Sequence, residues 1–171
     1  MVVDCMNDKT LIQKAKMKDP DAFTELMRSQ MQSMYRTAKA ILMNDEDVSD
    51  AIQDTLLICW EKLNELRMDQ YFRTWVTKIL INNCYGMIRN NKQITYMDEL
   101  PEKASEENVS NLEWREALSA IDEKYRIVLV LFYSEGFHTK EIAKILGITD
   151  STMRTRLSRG REQLAKYYDV L

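Results

Sequence analysis

Between Ser151 and Lys166 five cations (Arg154, Arg156, Arg159, Arg161 and Lys166) accompany a single anion, Glu162, in a chain whose overall charge is −3. At about 100° per residue, Met153, Leu157, Gly160 and Leu164 fall in one narrow sector of a helix, and Ser151, Arg154, Thr155, Ser158 and Arg159 in the opposite one. A guanidinium offers two parallel hydrogen bonds to a guanine edge or a phosphate, and a hydroxyl serves either partner, so this polar face has the chemistry of a helix that enters DNA. Such a helix needs a brace. The preceding residues supply it: Ile142, Ala143, Ile145 and Leu146 mark the buried face of a short helix, Gly147 permits the turn, and Thr149 is placed to cap the second helix. The spacing predicts a helix-turn-helix over 135–164.

Two further charged stretches stand out upstream. From Asp45 to Asp54 there are five carboxylates (Asp45, Glu46, Asp47, Asp50 and Asp54) and no base. Part of this charge favours a helix N-terminus through the helix dipole, and the remainder reads as a protein-docking surface or a solvated face. From Leu66 to Lys92 the sign reverses, with Arg67, Arg73, Lys78, Arg89 and Lys92 against Asp69 alone. Tyr71, Phe72 and Trp75 in this stretch recur at helical spacing and read as core side chains rather than base-stacking groups. His138 reads as a surface or capping side chain.

The elements that carry these groups follow from periodicity. A short helix over 9–19 is expected to end at Asp19-Pro20. Beyond it runs an amphipathic helix opened by Ala22, with Phe23, Leu26, Met27, Met34, Ala38, Ile41 and Leu42 inward. The next helix follows Asn44-Asp45 to about Leu66, burying Val48, Ile52, Thr55, Leu56, Cys59 and Leu63. After the polar break RMDQ, a helix from about Tyr71 to Asn90 carries Phe72, Trp75, Val76, Ile79 and Leu80. Residues 91–111 lose periodicity and gain Pro, Ser, Asn and Glu, the composition of a solvated acidic tether. Beyond it, a helix or helix pair over 112–133 supplies Leu118, Ile121, Tyr125, Val128, Leu129 and Phe132 beneath the helix-turn-helix.

With 171 residues, 45% apolar and 30% charged, the chain can bury one ordinary core or two small ones, and four Gly and two Pro favour an all-α fold. Two small helical domains joined by a flexible acidic linker are expected: 1–92, a linker over 93–111, and 112–171. No apolar run approaches the roughly 20 residues that span a bilayer, and the first residues lack a signal peptide's basic and apolar blocks, so no membrane insertion and a cytoplasmic location are expected. Cys5, Cys59 and Cys84 match no disulfide or metal framework: Cys59 and Cys84 read as core filler, and Cys5 has no assigned role. No metal and no cofactor are expected. One histidine and no visible catalytic constellation make an enzyme the weakest reading.

The ordered series of DEDVSDAIQDTLLICW, FRTWVTKILINN, an acidic linker and EIAKILGITDSTMRTRLSRGREQL resembles the extracytoplasmic-function (ECF, group 4) sigma factors, the two-domain members of the sigma-70 family, over about residues 10–168. The resemblance implies a region 2 domain at 1–92 and a region 4 helix-turn-helix domain at 112–171. Asp47, Val48, Gln53 and Asp54 match the family stretch that binds the clamp helices of the largest catalytic subunit of core RNA polymerase, and the second domain would meet the flap of the second large subunit. Trp75, Ile79 and Asn82 match the family's tryptophan stretch. The loop and helix that capture and follow the unstacked −10 strand would use Arg67, Asp69, Gln70, Arg73, Lys78, Asn82 and Asn83. The −35 duplex would be read by Arg154, Thr155, Ser158 and Arg159, with Ser151 and Thr152 beside them and Thr139 and Lys140 better suited to the DNA backbone. Arg156 and Arg161 rank below these, nearer the apolar edge and placed to pair with Glu162 or to contact phosphate. An anti-sigma protein, in many relatives membrane-bound, is the further partner implied.

Two other readings use the same residues. A two-domain helix-turn-helix regulator that is no polymerase subunit predicts duplex binding by the chain alone. A protein-binding helical module predicts binding unaffected by Arg154→Ala and Arg159→Ala.

Overall fold

The computed structural model describes residues 2–94 and 116–169, with side chains from Lys9 to Asn90 and from 116 to 169; the expected 93–111 linker beyond residue 94, the start of the second domain at 112 and the side chain of Cys5 lie outside the described residues. Every regular element among the described residues is helical.

Helix α1 spans Val2–Lys16, starting earlier than its periodicity indicates. Helix α2, Pro20–Leu42, begins where Asp19 accepts hydrogen bonds from the Asp21 and Ala22 amides at 3.0 and 3.1 Å, with Pro20 in the first turn, where its missing N–H is no loss. Helix α3, Asp45–Lys62, is capped by Asn44, which accepts from the Glu46 amide at 2.8 Å, and Asp45, Glu46 and Asp47 occupy the first turn, where the helix dipole favours anions. Two 3₁₀ turns, Leu63–Glu65 and Asp69–Tyr71, lead into helix α4, Phe72–Ile94. Helices α2, α3 and α4 pack on one another, and α1 lies against α2. Leu26, Met34, Ala38, Val48, Ile52, Leu63, Val76 and Leu80 fill the space between them, with Cys59 and Cys84.

The second unit has a helical stretch at 116–119, helix α5 (Glu123–Leu129), helix α6 (Thr139–Leu146) and helix α7 (Asp150–Asp169). Past Leu129 the backbone widens into a π-turn over Val130–Ser134: the Glu135 amide bonds the Val130 carbonyl at 3.0 Å, five residues back. Gly147 (φ 65°) turns the chain between α6 and α7, and the Thr152 amide donates to Thr149 Oγ1 at 3.2 Å, as the turn chemistry predicts. Gly160 lies where α7 crosses α5. A Cβ there would stand 3.1 Å from Leu129 Cγ, so glycine permits the close approach.

The two units pack against each other along α2 and α4, and their buried side chains form a continuous core. The separation that the acidic tether suggests is therefore not what the described residues adopt. Among the described residues, polar groups meet across the seam at three places. Arg126 of α5 donates from Nε to the Ala40 carbonyl in the last turn of α2 at 2.6 Å. Tyr85 of α4 lies near the carboxylate of Glu123, and burial together with that anion raises its phenol above the ordinary tyrosine range. Glu135, at the end of the π-turn, meets Ser33 and Arg36 of α2 and Arg73 of α4.

Candidate nucleic-acid and protein interfaces

On α7, Met153, Leu157 and Gly160 face inward, while Ser151, Thr152, Arg154, Thr155, Ser158 and Arg159 are exposed, as the helical pattern requires. Lys140 is exposed and Thr139 half-buried at the start of α6. Ser151, Thr152, Thr155, Arg156 and Arg159 line one shallow depression with Lys124 and Tyr125 of α5. Those last two lie about thirty residues away in sequence and carry no motif of their own, so only the tertiary fold brings them to this face. Arg159 Nη1 lies 3.5 Å from Tyr125 Oη, and the Lys124 ammonium stands 4.9 Å from the Tyr125 ring centre. The phenol of Tyr125 is held below its ordinary range, chiefly by the hydrogen bond from Arg159. Arg154 pairs with Asp150 one turn back at 2.9 Å but stays well exposed, so the pair is weak and open to competition.

Of the two lower-ranked arginines, Arg161 has partners other than Glu162. Arg161 Nε donates to Tyr133 Oη at 2.8 Å and lies over the Phe132 and Tyr133 rings. Arg156 is half-buried near Tyr85. Glu162 instead accepts from Ser158 Oγ at 3.2 Å.

The basic stretch divides. Arg67, Gln70, Lys78 and Asn82 are exposed. The other three members of the set are engaged within the protein. Asp69 accepts from Lys16 Nζ at 2.7 Å and from Gln13 Nε2, and the Lys16 hydrogen bond, with that of Gln13, holds its carboxyl below 3.8. Asn83 donates to Thr55 Oγ1 on α3 at 2.9 Å. Arg73 is bound to Glu135 and its guanidinium sits 4.3 Å above the Phe137 ring. Of the aromatics read as core, Phe72 is buried and Trp75 half-buried, but Tyr71 is 49% exposed beside Met68 on the Leu66–Phe72 loop. A helical period assigned Tyr71 inward, yet it ends a 3₁₀ turn whose three-residue repeat rotates it outward.

The candidate docking residues of α3 differ in exposure. Gln53 and Asp54 are exposed and Asp47 is half-buried. Val48 is 1% exposed, packed in the core one turn into α3, and a side chain so enclosed cannot touch a partner; its place in the docking set is corrected to a core role. Leu57 was missed. It lies one turn beyond Gln53 and Asp54 on the same face and is 63% exposed. The signal was a leucine within an otherwise polar sector, hidden because the neighbouring Leu56 belongs to the inward stripe.

This arrangement defines a class: a helical protein that carries a helix-turn-helix and, on a separate helix, an exposed acidic face. Residues 26–94 match the family model described as Sigma-70 region 2, and residues 111–164 that of Sigma-70, region 4. The chain is 29% identical to the RNA polymerase sigma factor SigV of Bacillus subtilis (strain 168), over 79% of this chain and 86% of that protein. It is 27% identical to the ECF RNA polymerase sigma factor SigW of the same organism, over 92% and 95%. Among solved structures, CnrH in complex with the cytosolic domain of CnrY superimposes with a TM-score of 0.73 at 24% identity, covering 96% of this chain and 98% of that one. The sigma factor RpoE of Bartonella quintana, in complex with the anti-sigma factor NepR, gives the same TM-score at 21% identity, covering 86% and 97%. The chain belongs to the sigma-70 family, in its extracytoplasmic-function branch, and its function is that of an RNA polymerase sigma factor in transcription initiation.

Proposed function

We propose that this sigma factor divides its work between three surfaces. The acidic face of α3, with Asp47, Gln53 and Asp54 around the exposed Leu57, grips the clamp helices of core RNA polymerase. Complementary charge sets orientation and encounter rate there, and the leucine supplies the apolar anchor that charge alone lacks. The Leu66–Phe72 loop and the first turns of α4 take the −10 strand: Arg67, Arg73 and Lys78 follow its backbone, Gln70 and Asn82 offer hydrogen bonds to an unstacked base, and Tyr71 offers a ring to stack on it. Asp69 and Asn83 shape that region from behind, through Lys16 and Thr55. The exposed face of α7 reads the −35 duplex, with Arg154 and Arg159 as base-edge donors, Ser151, Thr152, Thr155 and Ser158 as hydroxyl contacts, and Thr139 and Lys140 on the backbone.

Strand opening in this scheme uses binding energy for the single strand against the cost of unpairing, and it requires no nucleotide hydrolysis. Regulation by an anti-sigma protein is part of the proposal, supported by the complexes of CnrH with CnrY and of RpoE with NepR. A cytoplasmic site of action follows from the same role, and no described helix is long and apolar enough to cross a membrane.

The observation that carries the reading is the placement of an acidic, leucine-centred face on α3 and a cationic face on α7 within one chain. Run-off transcription with core RNA polymerase on genomic fragments tests it. Promoter-dependent transcripts are expected only when both proteins are present, and their absence with folded sigma would remove the proposal. Duplex binding at equal strength with and without core RNA polymerase would instead favour a stand-alone helix-turn-helix regulator.

A further inference from the structure

Glu135 is a charged residue with only 4% of its surface exposed, placed where the two halves of the molecule meet. Its position is set by local backbone chemistry. The π-turn over Val130–Ser134 lengthens the end of α5 by one residue, Gly136 takes a left-handed conformation (φ 67°), and Phe137 is buried behind it. The corner Glu135-Gly136-Phe137 thus projects from the second unit onto the first. There the carboxylate accepts from Arg36 Nε at 2.7 Å, from Arg73 Nη2 at 3.1 Å and from Ser33 Oγ, while Arg73 also donates to the Glu135 backbone carbonyl and covers the Phe137 ring. All three partners come from the opposite unit.

The clasp is unequal in burial. The Glu135 side chain is 1% exposed, whereas those of Arg36 and Arg73 are 40% and 43% exposed. A carboxylate so enclosed depends on its cations, since without them it would be a desolvated, unpaired charge. The cations remain wet and can exchange partners. A nucleic-acid phosphate offers a guanidinium the same paired oxygens as a carboxylate. Arg73 therefore sits at a branch point between an internal anion and an external one.

We propose that the Glu135 clasp is an autoinhibitory contact: it holds the two halves of the free sigma factor together and withholds Arg73 from the −10 strand until core RNA polymerase or DNA draws the halves apart. This deepens the reading of Arg73 as a −10 contact and rests on it. The closed and open forms are two states in equilibrium, and a ligand that engages Arg73 only in the open form shifts the balance towards it.

Small-angle scattering of the full-length chain, free of partners, tests the clasp directly. A compact body of 171 residues has a radius of gyration of about 16 Å, and the wild type should fall near that value. Glu135→Gln keeps the size and removes the charge, and should raise the radius by several ångströms with helix content by circular dichroism unchanged. Arg36→Gln, a change at a partly exposed side chain, should raise it too and covers the case in which Glu135→Gln does not fold. An extended wild type, or no rise in the folded variants, would overturn the clasp.

The second arm measures anisotropy of a short fluorescein-labelled single-stranded deoxyoligonucleotide of mixed sequence. Glu135→Gln should bind it roughly tenfold more tightly than wild type, the gain when the open form rises from a tenth of the molecules to nearly all of them. Adding Arg73→Gln should abolish that gain. A larger radius without tighter binding would leave the clasp standing and overturn the masking of Arg73, together with its −10 role.

Discussion

Arg126 Nε lies 2.6 Å from the carbonyl oxygen of Ala40, so a cation of the C-terminal half closes the C-terminal end of α2 in the N-terminal half. The last four carbonyls of any helix have no partner within it, and a positive charge there also complements the dipole. Arg126 Nη1 reaches the Ile121 and Leu118 carbonyls as well, at 3.2 and 3.4 Å, and burial lowers the guanidinium's affinity for its proton. Arg126→Met keeps much of the apolar stem and removes every donor. Loss of about 2–4 kcal/mol in urea unfolding is expected, because buried carbonyls are left unpaired. A loss below about 0.5 kcal/mol would show that water replaces the guanidinium without penalty.

The crossing of α5 and α7 depends on a missing side chain. At Gly160 even a Cβ would press on the branch point of Leu129, at 3.1 Å from Cγ and 3.2 Å from Cδ1. Gly160→Val should lower stability by about 1–3 kcal/mol through overpacking, despite glycine's poor helix propensity. Thermal melts give the measurement, and an unchanged melting temperature would show that the two helices separate freely.

The docking and reading faces should fail independently. Asp54→Arg reverses a charge on α3 and should weaken association with core RNA polymerase about tenfold, mostly through the on-rate and most strongly at low salt. Leu57→Asp should weaken it at least as much, through loss of the apolar anchor. Arg159→Ala should spare that association and cost about 1–3 kcal/mol in upstream duplex recognition. Surface plasmon resonance against core RNA polymerase and footprinting on promoter DNA separate the two. Equal loss of both activities in every variant would mean misfolding.

Acid should weaken the contact between Asp69 and α1. The carboxyl of Asp69 is held below 3.8 by Lys16 and Gln13, so its folded form binds its proton less readily than the unfolded chain does. The stability it confers is complete above the unfolded value and disappears as pH falls through the folded one. The difference in melting temperature between wild type and Asp69→Asn should therefore be constant from pH 7 to about pH 5 and shrink below about pH 4. Its size should be small, about 0.5–1 kcal/mol at neutral pH, because the pair is partly solvated. A difference that grows on acidification would contradict this linkage.

Cys59 and Cys84 are core residues, and burial pushes both thiols up to about 12. At pH 8 neither should react with iodoacetamide in the native state, since the thiolate is the reactive species. Both should react in urea. Peptide mapping after alkylation resolves the two sites, and native labelling of either would reveal opening of the α3–α4 core.

The helix-turn-helix was legible because its determinants are local: a 3.6-residue period separates Met153 and Leu157 from Arg154 and Arg159, Gly147 supplies the left-handed turn, and Thr149 supplies the cap. Val48 shows the limit of motif reasoning, since a residue can stand in a partner-binding stretch because the core beneath that stretch needs it. Tyr71 and Leu57 show the complementary failure. A 3₁₀ turn breaks the helical count at one, and the other stands beside an inward leucine.

Taken alone, the amino-acid order determined the helices, their inward faces, the reading helix and the charge blocks, because each depends on neighbours within a turn or two of chain. Which charges remain free was decided only in three dimensions. Arg73 and Glu135 are 62 residues apart, and they meet because α5 ends in a π-turn aimed at α4. Periodicity records which side of a helix is apolar. It carries no information about which distant element will cover that side, and so a buried ion pair across a seam is invisible until the chain has folded.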